Sequence, residues 1–330
     1  MRVGVLGGGA WGSVLAAHAA ARGHDVALWE FDPREAAALA RDRAGARSVR
    51  GFRLPDAVAV TNQIGDAARG RELVVVVVPS ETVRATMMGA REAIAPGTVI
   101  ACASKGLEPQ TRLNMAGVIA DVAPAARVAL LSGPSFAQEI AGGLPAALVC
   151  ASTDAAANEL VVAALGSERF RLYTSDDVAG VAVGGALKNV IAIAVGCSDG
   201  FGFGLNARAA LMTRGLAEMS RLAVKLGAHP LTLAGLAGFG DLVLTCTGEL
   251  SRNRQVGLAL ARGETLLQIV ASLGHVAEGI GTAKTARALA DELGVDLPIT
   301  RAVAAVLHDG QTAREAVGAL LARDPGCERG

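Results

Sequence analysis

Lysine is scarce in this chain of 330 residues. It has 4 lysines, at Lys105, Lys188, Lys225 and Lys284, against 27 arginines. A genome rich in G and C favours arginine codons, which accounts for the imbalance. Each lysine still gains interest, because arginine carries charge but does not release a proton under working conditions. Net charge is missing too: 31 basic and 31 acidic residues cancel, so the sequence advertises no nucleic-acid or anionic-membrane partner. Cysteine is sparse and scattered. Cys102, Cys150, Cys197, Cys246 and Cys327 lie 47 to 81 residues apart with no CxxC pair, which argues against a disulfide framework or a zinc site and fits reduced cytoplasmic thiols. The five histidines form no HExxH, and no His–Cys group has metal-ligand spacing, so no metal is expected.

No stretch reads well as a membrane span. The longest apolar run, residues 178–198, carries Lys188 and Asn189 at its centre and includes Gly180, Gly184, Gly185 and Gly196. That is a poor version of the roughly 20 apolar residues a bilayer crossing needs. The 67 alanines explain the positive mean hydropathy without a membrane. The N-terminus MRVGVLGGGAWG lacks a basic stretch followed by an apolar region and a cleavage site, so no secretion signal is expected and the cytoplasm is the expected location.

Short apolar runs dominate the first half. Residues 3–6, 26–29, 73–78, 99–103, 128–131 and 147–151 each have strand length, and residues 74–78 are five consecutive valines. Such a run suits a strand buried on both faces of a parallel sheet. Residues 14–22, 34–43 and 81–93 between them read as helices. This alternation predicts an α/β fold with a doubly wound, mainly parallel sheet. Beyond Asp176 the apolar spacing becomes helical, with helices expected over 178–195, 207–226, 255–261, 265–272, 280–293, 299–307 and 313–321. Gly227, Gly294 and Gly310 fall where helix ends are expected, and Pro230 and Pro298 mark turns. The expected organisation is a dinucleotide-binding domain over 1–176 and an all-α substrate-binding domain over 177–330.

Gly7, Gly9 and Gly12 fill a GxGxxG pattern between the first strand and the first helix. The first glycine makes the tight turn, the second lets backbone approach a pyrophosphate, and the third lets helix pack on strand. The helix N-terminus then offers N–H groups and partial positive charge to the phosphates. GxGxxG alone is a weak signal among 41 glycines, a chance glycine-rich turn being the alternative; its position between strand and helix favours a Rossmann-type dinucleotide site. Glu30 closes the second strand, about 20 residues past the glycines, where an acid accepts from the ribose hydroxyls and favours NAD over NADP. Arg34 is close enough to answer a 2′-phosphate, so NADP stays open.

Lys188 and Asn189 interrupt the most apolar helix. The residues one turn from Lys188 are Gly184, Gly185, Ile191 and Ala192, mostly small, which suggests room beside the lysine for a ligand. Burial there lowers a lysine's pKa by desolvating its charged form, and an amine near neutral pKa suits acid/base work. The blander alternative is a lysine that snorkels to the domain edge. Lys105, in Ser104-Lys105-Gly106, follows the fourth expected strand, in the zone where parallel sheets bind ligands; an ordinary loop lysine is the alternative. Lys225 and Lys284 read as solvated. Ser132-Gly133-Pro134-Ser135-Phe136-Ala137 supplies hydroxyls and backbone N–H groups after the next strand, or is an ordinary turn. Gly238-Phe239-Gly240-Asp241 precedes Thr245-Cys246-Thr247 and Ser251-Arg252-Asn253. The last three resemble a phosphate cradle at a helix start, with a solvated basic face the alternative for Arg252 and Arg254. Asp199-Gly200 with Gly202 and Gly204 reads as a flexible loop without chemistry.

Together these segments resemble the bacterial NAD(P)-dependent sn-glycerol-3-phosphate dehydrogenases. The resemblance covers nearly the whole chain through GGGAWGS, VPS (78–80), SKG, SGPSFA, the Lys188-Asn189 pair, NARAALMTRGLAEM, GLAGFGDLVLTCTG, SRN and VAEG (276–279). It implies interconversion of dihydroxyacetone phosphate and sn-glycerol 3-phosphate with NAD(H) or NADP(H), supplying glycerol 3-phosphate for phospholipid synthesis. It implies Lys188 as general acid/base, Lys105 beside substrate and nicotinamide, and Asp241 binding substrate hydroxyl and holding the lysines. Gly133, Ser135, Ser251, Arg252 and Asn253 would hold substrate, with Arg252 and Asn253 nearest its phosphate. Ala10, Trp11, Phe31, Ala137, Arg252, Val276 and Glu278 match cofactor-contact positions, beside Gly7, Gly9, Gly12, Glu30 and Lys105. Where the family often carries a basic residue after the second strand, this chain has Glu30-Phe31, which weakens NADP preference and leaves the reaction untouched. The implied partners are the small-molecule substrates, without nucleic acid or membrane span, and a homodimer is compatible with them. A related ketopantoate-type or β-hydroxyacid reductase is the nearest rival, disfavoured because its substrates need carboxylate recognition instead of the SRN cradle. A cofactor-sensing protein without turnover is the rival from another class.

Overall fold

β-Branched side chains fit the pleated surface of a strand, and the valine run from residue 74 has no polar interruption. In the computed structural model, which describes residues 1–44, 49–273 and 277–323, Val74–Val76 of that run join Leu73 in a central strand with every residue buried, and Val77 and Val78 follow it half-buried. The chain begins β1 (Arg2–Leu6), α1 (Ala10–Ala21), β2 (Asp25–Trp29), α2 (Pro33–Asp42), β3 (Val58–Thr61), α3 (Ile64–Ala68) and β4 (Leu73–Val76). It continues α4 (Val83–Ala90), β5 (Val99–Cys102), α5 (Met115–Val122), β6 (Arg127–Ser132) and α6 (Ala137–Ala141). The sheet layer ends with β7 (Ala146–Ala151), α7 (Ala155–Leu165) and β8 (Phe170–Ser175).

The eight strands lie in the order β3-β2-β1-β4-β5-β6-β7-β8. All neighbours are parallel except β6 and β7. Strand order reverses between β1 and β4, which pair through Val3 and Leu73. That reversal opens a crevice at the carboxyl ends of both strands, the usual ligand position in such sheets. Apolar cores fill both faces: one includes Val5, Leu15 and Leu28, the other Leu6, Met87 and Ile119. The expected doubly wound sheet is therefore present. Two outer strands, β3 and β8, escape the sequence reading. In β8 only Phe170 is fully buried while its neighbours reach solvent, so an edge strand of this kind lacks the continuous apolar run that marks the centre.

After Ser175 the chain is helical: α8 (Val178–Gly200), α9 (Gly204–Lys225), α10 (Asp241–Thr247), α11 (Arg252–Ala261), α12 (Leu266–Leu273), α13 (Glu278–Leu293), α14 (Pro298–His308) and α15 (Ala313–Leu321). α8 is the axis of this layer, enclosed by α9, α10, α11 and α13. It is long and apolar enough to cross a bilayer, yet 78% of its most apolar window is buried inside the fold. Pro298 opens α14 where a turn was expected, because proline's missing N–H costs nothing at the first helical position. The buried carboxylate of Glu218 on α9 accepts from the backbone N–H groups of Ile299 and Thr300 and from the Thr300 hydroxyl. A side chain from one helix thus caps the start of another.

Candidate active site

The cradle at the switch point is built by close backbone contact. Gly7 has φ +126°, a conformation strained for any other residue, and a Cβ on Gly12 would fall 1.8 Å from the Gly7 carbonyl oxygen. α1 therefore packs directly on the turn. A Cβ on Gly9 would meet nothing within 4 Å, and no side chain caps the first turn of α1. The space above Gly9 and the uncapped N–H groups beneath it fit a pyrophosphate. Glu30 lies against this turn, its Oε2 2.5 Å from where a Gly8 Cβ would be, and its Oε1 accepts from Asp32 N. Trp11, Ala10 and Ala137 are half-buried around the crevice, and Phe31 is 79% exposed. Val276 lies outside the described residues.

Two lysines from different layers converge on one carboxylate. Lys105 follows β5, and its Nζ donates to Asp241 Oδ2 at 2.6 Å and to the Gly133 carbonyl at 3.0 Å. Lys188, in the middle of α8, donates to Asp241 Oδ1 at 2.5 Å and to Thr245 Oγ1 at 2.9 Å. Asp241 is 1% exposed and Lys188 7%, so Lys188 does not snorkel to an edge. Burial brings the Lys188 ammonium down to about 8; Asp241 partly opposes that shift and the Lys105 charge adds to it. Burial alone pushes the Asp241 carboxyl up, but the two ammonium groups outweigh it and hold the group below the usual range.

The small residues beside Lys188 do not leave the room expected of them. A Cβ on Gly184 would fall 2.3 Å from the Ala237 carbonyl oxygen, and one on Gly185 would meet Ser132 Oγ at 2.8 Å and the Lys105 stem at 3.4 Å. Gly184 lets the π-helical turn Leu236–Gly240 press onto α8, and Gly185 lets Ser132 and Lys105 do so. That turn delivers Asp241 to Lys188. Close packing, not an open pocket, is what the glycines provide.

The remaining substrate candidates border this network. Ser135 Oγ donates to the Gly133 carbonyl at 2.9 Å. Ser251 caps α11, its Oγ accepting from Arg254 N, and Arg252 stands exposed at the start of that helix. Asn253 is engaged on both sides, its Nδ2 donating to Asn189 Oδ1 at 2.9 Å and its Oδ1 accepting from Gly279 N at 3.0 Å. Glu278 Oε1 accepts from Ser80 N at 3.3 Å across the crevice. Burial holds Glu278 above the usual carboxyl range, against the pull of Ser80 N and of Arg252, Lys105 and Lys188. Thr245 carries no motif that marks it in the sequence, although it lies one helical turn after Asp241 and so shares its face of α10.

A Rossmann-type crevice facing a buried lysine–carboxylate–lysine network defines a nicotinamide-dependent oxidoreductase of two layers. Residues 2–158 match the N-terminal and residues 177–318 the C-terminal model of NAD-dependent glycerol-3-phosphate dehydrogenase. The chain is 49% identical over 327 residues to glycerol-3-phosphate dehydrogenase [NAD(P)+] of Anaeromyxobacter sp. (strain K), covering 98% of each chain. It is 47% identical to the protein of that name from Geobacter metallireducens, covering 100% of this chain and 99% of the relative. The crystal structure of glycerol-3-phosphate dehydrogenase from Coxiella burnetii superposes with a TM-score of 0.94 at 36% identity, covering 98% of this chain and 99% of the other. The chain belongs to the NAD(P)-dependent glycerol-3-phosphate dehydrogenase family.

Proposed function

We propose that the protein interconverts dihydroxyacetone phosphate and sn-glycerol 3-phosphate with NAD(H) or NADP(H), and that Lys188 is the proton donor and acceptor. The observation that carries this reading is the convergence of Lys188 and Lys105 on buried Asp241 beside the dinucleotide crevice. Gly7, Gly9, Gly12 and Glu30 would hold the dinucleotide, whose reduced nicotinamide would supply hydride to the carbonyl carbon. Lys188 then gives a proton to the substrate's carbonyl oxygen, and recovers it from the hydroxyl in the reverse direction. Asp241 fixes the position of both ammonium groups, and Lys105 keeps positive charge beside the oxygen as it turns into an alkoxide. With both lysines protonated the trio carries one net positive charge, which stabilises that oxygen more strongly in a dry site than in water. Ser251, Arg252 and Asn253 hold the remote phosphate, which orients the carbonyl.

Residues 1–176 serve in this scheme as the cofactor domain and 177–330 as the substrate domain. A cytoplasmic location and a supply of glycerol 3-phosphate to phospholipid synthesis belong to the same reading. So does a homodimer formed through the helical layer, supported by exposed Phe203 and Leu205 on one turn and checked by sedimentation. Oxidation of NADH and of NADPH by dihydroxyacetone phosphate, measured side by side, tests the reaction. No turnover with either cofactor overturns it. Because Glu30 packs on the cradle, NADH is the faster donor, and Glu30→Ala narrows the gap.

A further inference from the structure

The end of α8, expected to be a loop without chemistry, carries an ionic cluster. The Asp199 side chain is 7% exposed. Its Oδ1 accepts from Arg208 Nε at 2.9 Å. Its Oδ2 accepts from Arg254 Nε at 2.9 Å and lies 2.7 Å from Arg254 Nη2. The three residues come from α8, α9 and α11. Two guanidinium groups share one carboxylate, so the cluster keeps one excess positive charge, with the arginine side chains 25% and 17% exposed.

Its place gives it a use. Arg254 follows Arg252 and Asn253 in the first turn of α11. That turn is pinned on one flank through Asn253 to Asn189 and Gly279, and on the other through Arg254 to Asp199. The backbones of α8 and α11 touch, since a Cβ on Gly196 would fall 2.2 Å from the Arg254 carbonyl oxygen. Little slack remains between them. A cradle held this rigidly binds a dianion without first paying to order itself.

We infer that Asp199, acting through Arg254, is a positioning residue for phosphate recognition at the start of α11, and that Arg208 supplies the excess charge that favours a phosphorylated substrate. This rests on the proposed dehydrogenase reading. The two terms have opposite signs in one variant. Asp199→Asn adds a positive charge, so a purely electrostatic role lowers KM for dihydroxyacetone phosphate, whereas a positioning role raises it.

Steady-state kinetics of the full-length enzyme at saturating NADH reads both terms, with inorganic phosphate as competing anion and NADH affinity followed by fluorescence. Asp199→Asn is expected to raise KM for dihydroxyacetone phosphate about tenfold, the scale of one charge-assisted hydrogen bond. Inhibition by inorganic phosphate weakens in parallel, kcat changes much less, and NADH affinity is kept. Asp199→Glu restores part of the loss. Arg208→Gln, which leaves the Asp199–Arg254 pair in place, raises KM by a smaller factor and flattens the salt dependence of kcat/KM. An unchanged or lowered KM in Asp199→Asn overturns the inference, as does a loss confined to kcat. Should Asp199→Asn fail to fold, an unchanged KM and salt dependence in Arg208→Gln overturns it. If the unaltered enzyme does not turn over dihydroxyacetone phosphate, the parent reading fails and this inference falls with it.

Discussion

Lys188 Nζ lies 2.5 Å from Asp241 Oδ1 with both side chains buried, although the two residues are 53 positions apart. One comes from the middle of the axial helix, the other opens α10 directly after a π-helical turn. Desolvation lowers the lysine's proton affinity and the carboxylate restores part of it. The result is an amine whose pKa falls to about 8, while arginine at the same place keeps its charge.

Substitution separates charge from proton transfer. Lys188→Arg should lower kcat at least about 100-fold, the usual minimum for loss of a general acid/base, while NADH binding measured by fluorescence is kept. Lys225→Arg, at the exposed end of α9, should leave kcat unchanged.

The direction of the reaction sets the sign of its pH dependence. In the proposed mechanism reduction draws on the Lys188 ammonium, so its kcat should fall as pH rises through about 8. Oxidation needs the free amine and should rise through the same window. Initial rates in both directions from pH 6 to 10, a range set at about two units either side of the midpoint, check this. Matching profiles in the two directions would rule Lys188 out as the titrating group.

Asp241→Asn should move that midpoint downward. The carboxylate favours the charged lysine, so its loss leaves desolvation and the Lys105 charge opposed by Glu278 without Asp241. Reduction should then lose rate at lower pH than in the unaltered enzyme. Stability should also drop by about 3 kcal/mol at neutral pH, since removing one partner strands buried charge. Rate–pH profiles and urea melts measure the two effects separately.

Gly9 and Gly12 should respond to alanine in different ways. At Gly9 the added methyl faces open space, so Gly9→Ala should weaken NADH binding while Tm stays within about 2 °C. At Gly12 it would overlap the Gly7 carbonyl, so Gly12→Ala should lower Tm as well as binding. Calorimetry and cofactor titration of both variants provide the contrast.

Glu218 gives the fold its own pH signature. Burial pushes its carboxyl up to about 7, against the donors at the start of α14. An acid whose folded pKa lies above its unfolded one binds more protons when folded. Its stabilising contribution is therefore complete below the ordinary carboxyl range and disappears as pH rises through about 7. Relative to Glu218→Gln, the unaltered protein should lose stability over that window by at most about 1.4 kcal/mol per pH unit. Denaturant melts at several pH values test the slope.

Local chemistry was legible where a single segment carried it. The valine run of β4, the glycine turn before α1 and the helical spacing after Asp176 each state their structure in consecutive residues, because steric fit and periodic burial act over a few positions. The two lysines worth questioning were visible for the same reason. The edge strands β3 and β8 were not, since their burial depends on one neighbour only.

What the sequence could not decide is which separated groups meet. Gly184 and Gly185 looked like space for a ligand; tertiary packing fills that space with Ala237, Ser132 and the Lys105 stem. Asp199 looked like loop; α8 runs on to Gly200 and turns it toward Arg208 and Arg254. Hydrogen bonds and desolvation depend on distances of a few ångströms, and for residues tens of positions apart those distances are set by how the helices pack. The sequence alone determined the layers and the types of group available. Only the tertiary structure decided that Lys105 and Lys188 share Asp241, and that Lys188 is buried deeply enough for its proton affinity to fall.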